Sequence, residues 1–164
     1  MNRKRAVVSF LALSLATAPL VGCSGDDPTS PAAEAEEQTS AQTEQEYSPR
    51  SGDGVDVVYF ETEMPCECMA EVGDSVESAV QTYFKNELQS GELRFFMVVS
   101  DDPANEELVN SFDSQPFDLF VVEYEDGRST ATPVYDIWNL MGDNEAIVLF
   151  TKSLIEQSLA EQNP

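Results

Sequence analysis

Histidine is absent from this chain of 164 residues, and Lys and Arg together number eight against 31 Asp and Glu. Without histidine the commonest general base and metal ligand is gone, and zinc-protease and Ser-His-Asp chemistries go with it. The scarcity of positive charge argues against nucleic acid as a partner, because phosphates are bound through Lys and Arg. Phosphate loops, dinucleotide fingerprints and flavin-binding patterns are missing, as is any internal repeat. Cysteine is sparse, with three in all, and a single tryptophan is present.

What is there begins with a positive start, Arg3-Lys4-Arg5, followed by the uncharged, largely apolar run Ala6 to Ala18. A spanning helix needs about 20 apolar residues, so the run fits the core of a signal peptide better. Leu20-Val21-Gly22-Cys23 then resembles the lipobox of bacterial lipoprotein precursors, which implies cleavage before Cys23 and its lipidation. We therefore expect a signal peptide over 1–22 and an extracytoplasmic protein attached to the bilayer through lipid on Cys23. Ser24 in place of aspartate favours, in a two-membrane cell, the outer membrane facing the periplasm. Removing residues 3–5 leaves five Lys and Arg against 31 Asp and Glu, a net charge of −26. Such a surface suits a saline habitat and tolerates cationic partners.

Residues 24–52 are rich in Ser, Thr, Pro, Ala, Gln and Glu, with Tyr47 as the one aromatic and no Leu, Ile or Val. A segment of that kind cannot bury enough apolar surface to offset its ordering entropy, so 23–52 reads as a lipidated cysteine and a disordered acidic tether. Composition changes abruptly at Asp53, and 53–164 reads as one domain.

Within it, Val55 to Phe60 is a nearly continuous apolar run, as expected of a buried strand. Val72, Val76, Val80, Tyr83 and Leu88 recur at helical spacing, with Ala79 and Phe84 beside them. Leu93–Val99 reads as a second strand. Asp102-Pro103 is a helix start, and Leu108, Val109 and Phe112 give that helix its apolar face. Phe117 to Tyr124 and Thr130 to Tyr135 read as two strands around a turn at Glu125-Asp126-Gly127-Arg128. A short helical turn over Asp136 to Met141 precedes a closing helix marked by Ile147, Phe150, Leu154 and Ser158. The order βαβαββα predicts an α/β three-layer sandwich with a mixed four-stranded sheet: a parallel pair through a right-handed crossover, then an antiparallel hairpin. This is the thioredoxin-like arrangement, and Cys66 and Cys68 fall between its first strand and first helix, where that fold keeps its chemistry.

Several segments also carry a family resemblance: Val58-Tyr59-Phe60, Cys66 six residues later, Val80 to Leu93, Tyr124-Glu125-Asp126-Gly127, and Ile137-Trp138-Asn139-Leu140-Met141-Gly142-Asp143. Over nearly all of 55–161 the chain is similar to the thioredoxin-like ArsF-type subunits of a nitrophenyl-compound nitroreductase. The resemblance implies the fold, and it implies that another subunit supplies electrons. This chain departs from the family at the site itself. Where members carry Cys-x-x-Cys, it has Cys66-Glu67-Cys68-Met69, and Met69 stands at the second family cysteine. Pro116 or Asp118 stands where thioredoxins place a proline before their third strand.

With Cys23 lipidated, Cys66 and Cys68 remain as a pair that an extracytoplasmic setting leaves free to oxidise. The first turn of a helix favours a thiolate by about 0.3–1 kcal/mol, whereas Glu61, Glu63, Glu67 and Glu71 oppose it; we expect the two to offset each other at Cys66. A disulfide between residues i and i+2 is strained and easily reduced, which suits an oxidant or isomerase. The expected role is thus thiol–disulfide exchange without a cofactor, Cys66 attacking and Cys68 resolving, on exported protein thiols or a membrane redox partner. The same sulfurs, with Met64 and Met69, form an alternative set of soft ligands for Cu(I) or arsenite. A third possibility is a non-catalytic docking subunit with a static disulfide. Asp101-Asp102 reads as a helix cap, and Trp138, Phe95 and Phe96 read as core.

Overall fold

The computed structural model describes residues 46–162; the expected signal peptide, Cys23 and most of the expected tether lie outside them. The elements run β1 (Gly54–Glu61), α1 (Glu67–Tyr83), α2 (Lys85–Ser90), β2 (Leu93–Val99), a 3-10 turn (Pro103–Asn105), α3 (Glu106–Phe112), β3 (Leu119–Glu125), β4 (Arg128–Pro133), a second 3-10 stretch (Tyr135–Leu140) and α4 (Asn144–Gln162). The sheet order is β2-β1-β3-β4. β1 lies parallel to β2 and antiparallel to β3, and β3 and β4 form an antiparallel hairpin. The domain is therefore α/β with a mixed four-stranded sheet.

Alternation along β1 divides the core. Val55, Val57 and Tyr59 point to one face, where they pack with Val72, Val76 and Val80 of α1 and Ile147 and Ile155 of α4. Val58 and Phe60 point to the other, among Phe96, Phe120 and Val122, covered by Leu108, Val109 and Phe112 of α3. Each such side chain contributes roughly 1.5–3 kcal/mol on full burial, and with both faces covered β1 needs its near-continuous apolar run. α1 comes close to the sheet at Gly73: a Cβ there would stand 2.8 Å from Tyr59 Cε1 and 3.1 Å from Met97 Cε.

Several boundaries differ from the sequence-based expectation. The first helical pattern is two helices, because the backbone breaks at Phe84 (φ −122°, ψ 34°). Tyr83, expected on the apolar face, is 45% exposed, with the Lys152 ammonium over its ring. β3 starts at Leu119 because Phe117 has φ +72°. β4 starts at Arg128, opposite Glu125. Asp126 and Gly127 both have positive φ, which makes a two-residue turn of the kind that matches strand twist. The buried stripe of α4 is Ile147, Thr151, Ile155 and Ser158; Phe150 and Leu154 lie half-buried beside it.

The largest correction concerns where the domain begins. Tyr47 and Arg50, assigned to the tether ending at 52, are packed into the fold. The Tyr47 ring meets Phe96 and Phe112 edge-on, and its hydroxyl is 2.7 Å from that of Tyr124. Arg50 reaches Asp56, a fully buried carboxylate inside the apolar run of β1. Asp56 Oδ1 accepts from Arg50 Nε at 3.0 Å and Nη2 at 2.6 Å. Arg94, its register partner on β2, donates from Nε to Oδ1 at 2.9 Å and from Nη2 to Oδ2 at 2.6 Å. Spare guanidinium protons go to the carbonyls of Asp53, Val55, Gly91 and Glu92 from Arg50, and of Ser48 from Arg94. Gly54 (φ +143°) is required here, since a Cβ would fall 1.6 Å from Arg50 Nη1. A buried carboxylate without such partners would be untenable, so the folded unit extends N-terminal to Arg50.

Candidate functional site

The thiol pair sits at one pole of the sheet. β1 ends at Glu61, and Thr62 to Pro65 lead into α1. Ser100 anchors that strand end, its N–H and Oγ both donating to the Glu61 carbonyl at 2.7 Å. Asp101 Oδ1 accepts the Glu63 N–H at 2.8 Å and pins the following loop. Asp102 caps the next turn by accepting from the Ala104 N–H at 2.8 Å, with Pro103 in its first position; the Asp101-Asp102 pair thus serves loop and cap, as its sequence suggests.

Cys66 is the N-cap of α1, with extended backbone (φ −69°, ψ 157°). Its carbonyl accepts from the Met69 and Ala70 N–H groups at 2.9 and 3.0 Å. Cys68 is the second residue of the helix. The chain reversal into α1 brings the two Sγ atoms to 3.1 Å, both thiols free and both exposed. A bond at about 2.05 Å requires a further approach of roughly one ångström. Beneath the first turn, the Tyr59 hydroxyl donates to the Met69 carbonyl at 3.3 Å. It ties α1 to the middle of the sheet, and burial raises the Tyr59 phenol above its ordinary range.

Electrostatics divide the pair. The hydrogen bond with Cys68 is the first cause holding the Cys66 thiol below its ordinary range, and the Met69 amide is the second. No capping hydrogen bond closes on the Cys66 sulfur, so the amide acts as a nearby dipole. The same sulfur–sulfur hydrogen bond is the leading cause that pushes Cys68 up. The expected cancellation at Cys66 by surrounding carboxylates is thus replaced by a net downward shift, because its nearest partner is a thiol donor. Of these carboxyls Glu61 is held above its usual range, by burial first and then by Asp74 and Glu77.

Neither a protein-family model nor a curated protein matches the chain.

The residues singled out from sequence are only partly gathered here. Cys66 and Cys68 are together; Met69 is half-buried at their side, and Met64 is 88% exposed. Among the described residues no group of three or more Cys, Asp or Glu is arranged to hold a metal ion. Grooves among the described residues include one of about 400 Å3 between α1 and α4, lined by Glu71, Asp74, Tyr83 and Leu149 among others, and one of about 630 Å3 beside Tyr47, Leu108 and Phe112. Neither of these two is lined by the cysteines, which are both exposed. The sheet polarity places the segment before β3, with Pro116 and Asp118, at the same pole: the Phe117 N–H donates to the Phe60 carbonyl at 2.6 Å. Asp118 Oδ2 accepts the Gln115 N–H at 2.8 Å, and no peptide bond among the described residues is cis.

Proposed function

We propose that this domain is a thioredoxin-like thiol–disulfide exchange protein, exported and held to a bacterial membrane by lipid on Cys23. The observation that carries the reading is the pair of free, exposed sulfurs 3.1 Å apart at the N-cap of α1. The strand order β2-β1-β3-β4 with its single parallel pair supports the thioredoxin-like assignment, because helix-start cysteines after the first strand are where that architecture carries its chemistry. The ArsF-type resemblance belongs to the same proposal and calls for electrons from a separate subunit.

In the exchange, the Cys66 thiolate attacks one sulfur of a substrate disulfide. A mixed disulfide forms, and the other substrate sulfur leaves as a thiolate that takes up a proton. Cys68 then loses its proton and attacks the Cys66 sulfur; the intramolecular disulfide forms and the second substrate thiol is released. Two electrons pass from the dithiol to the substrate, and every step runs equally in reverse. The lowered Cys66 and raised Cys68 suit attack by the first and retention of a proton by the second. The strain of an i, i+2 disulfide favours the reverse direction, in which the oxidised protein accepts electrons from exported thiols.

The test is equilibration of the chain carrying Cys23→Ser with glutathione buffers, reading the Cys66 and Cys68 thiols by alkylation and mass. A reversible two-electron transition at an oxidising potential is expected; thiols that never pair, or a pair that resists reduction, would overturn the reading. Binding of Cu(I) or arsenite lost in Cys66→Ser would instead support the soft-ligand alternative.

A further inference from the structure

We propose that the thiol pair selects its partners by charge, exchanging with cationic disulfides and thiols in preference to anionic ones. The inference rests on the exchange reading and names its substrate class. Among the described residues, every loop at the thiol pole lacks a basic residue. The segments 62–66, 100–105, 113–118 and 134–143, which the strand polarity gathers at the C-terminal end of β1, contain no Lys or Arg. The same loops carry Glu63, Asp101 and Asp118, among other acids.

Closer in, Glu67 lies between the two cysteines and is exposed, as is Glu71 one helical turn on. Residues three and four apart share a helix face, so Glu71 lies on the face of Cys68 and Glu67. Glu63 precedes Cys66 by three residues, within about 11 Å along even a fully extended chain, and its loop is held by Asp101. By this spacing Glu63, Glu67 and Glu71 fall near or within the roughly 8–10 Å over which exposed charges act at moderate salt. Two of the chain's cations that could have offset them, Arg50 and Arg94, are committed to Asp56.

The consequence falls on encounter and on the mixed disulfide. An anionic substrate is repelled on approach and again while bonded to Cys66; a cationic one is drawn in. Because exchange is reversible, the preference holds for thiol substrates of the oxidised form as well. Partners that fit are exported proteins with Lys or Arg beside the reacting cysteine.

The experiment uses the whole chain carrying Cys23→Ser and three small aliphatic disulfides: cystamine (dicationic), bis(2-hydroxyethyl) disulfide (neutral) and 3,3′-dithiodipropionate (dianionic). Each rate is normalised to that of a neutral small thiol with the same disulfide, which removes intrinsic reactivity. At low salt the normalised cystamine rate should exceed the dithiodipropionate rate by about tenfold or more, and 1 M salt should reduce the ratio to below about threefold. The triple substitution Glu63→Gln, Glu67→Gln, Glu71→Gln should shrink the low-salt ratio severalfold. Equal normalised rates, or a ratio indifferent to salt and to the triple substitution, would sink the charge preference while leaving exchange standing. Failure to react with all three disulfides, the neutral one included, would overturn the exchange reading and this inference together.

Discussion

The two ends of β1 treat charge in opposite ways. At the N-terminal end a carboxylate is fully buried and answered by two guanidinium groups. At the C-terminal end two thiols lie exposed among carboxylates, with no Lys or Arg in the loops around them. Two of the five Lys and Arg among the described residues answer the buried charge, and the loops at the thiol pole are left with acids alone. The first arrangement holds the fold together; the second is the one we propose selects partners by charge.

Breaking the buried end should have the largest effect. Arg50→Ala strands one side of Asp56 and removes the hydrogen bonds to four carbonyls, and loss of one partner from a buried ion pair costs about 3–5 kcal/mol. Urea unfolding should show a loss of that size, and a chain beginning at Asp53 should be at least as unstable; a loss below about 1 kcal/mol would mean that Arg94 alone satisfies Asp56. Next in size, Gly73→Ala should destabilise by roughly 1–3 kcal/mol through contact with Tyr59 and Met97, although alanine is the better helix former by about 1 kcal/mol. A raised melting temperature would show that α1 can lift from the sheet without cost. Tyr47→Phe, which removes the hydroxyl contact with Tyr124, should cost about 0.5–1.5 kcal/mol.

At the exposed end the effects are on titration rather than on stability. Cys66 should alkylate at lower pH than Cys68, since the thiolate is the reactive form and the shifts run in opposite directions. Cys68→Ala removes the donor that stabilises the Cys66 thiolate, so the midpoint of Cys66 alkylation against pH should move up. A midpoint that stays in place or falls would show that the first-turn amides, not Cys68, set Cys66.

The same contrast explains what could be read in advance. The thiol pole was legible because its parts are local: Cys66 and Cys68 are two residues apart, and the preceding strand and following helix announce themselves by apolar spacing. The strands, the crossover and the Asp126-Gly127 turn were legible for the same reason. Asp56 was not, since one aspartate among Val55, Val57 and Val58 breaks no pattern. Its partners lie 6 and 38 residues away, one of them in a segment whose composition suggested a tether. Composition reports the capacity to bury apolar surface; a single arginine that solvates a buried carboxylate leaves no mark in it. The direction of the Cys66 shift was likewise hidden, because it turns on a sulfur–sulfur approach of 3.1 Å that spacing alone does not give.

The orientation of β1 also has a mechanical side. The chain enters the fold by way of Arg50 and Gly54, and the thiols lie beyond Glu61, eight strand residues on, roughly 26 Å away at the usual rise of about 3.3 Å per residue. Tension applied through the residues before 46 meets the Tyr47 aromatic contacts and the guanidinium clamp first, and that clamp must shear before β1 can peel. A domain leashed at that pole, as proposed above, would carry its sulfurs on the far one, where they could meet a partner without the load ever crossing the bond to be exchanged.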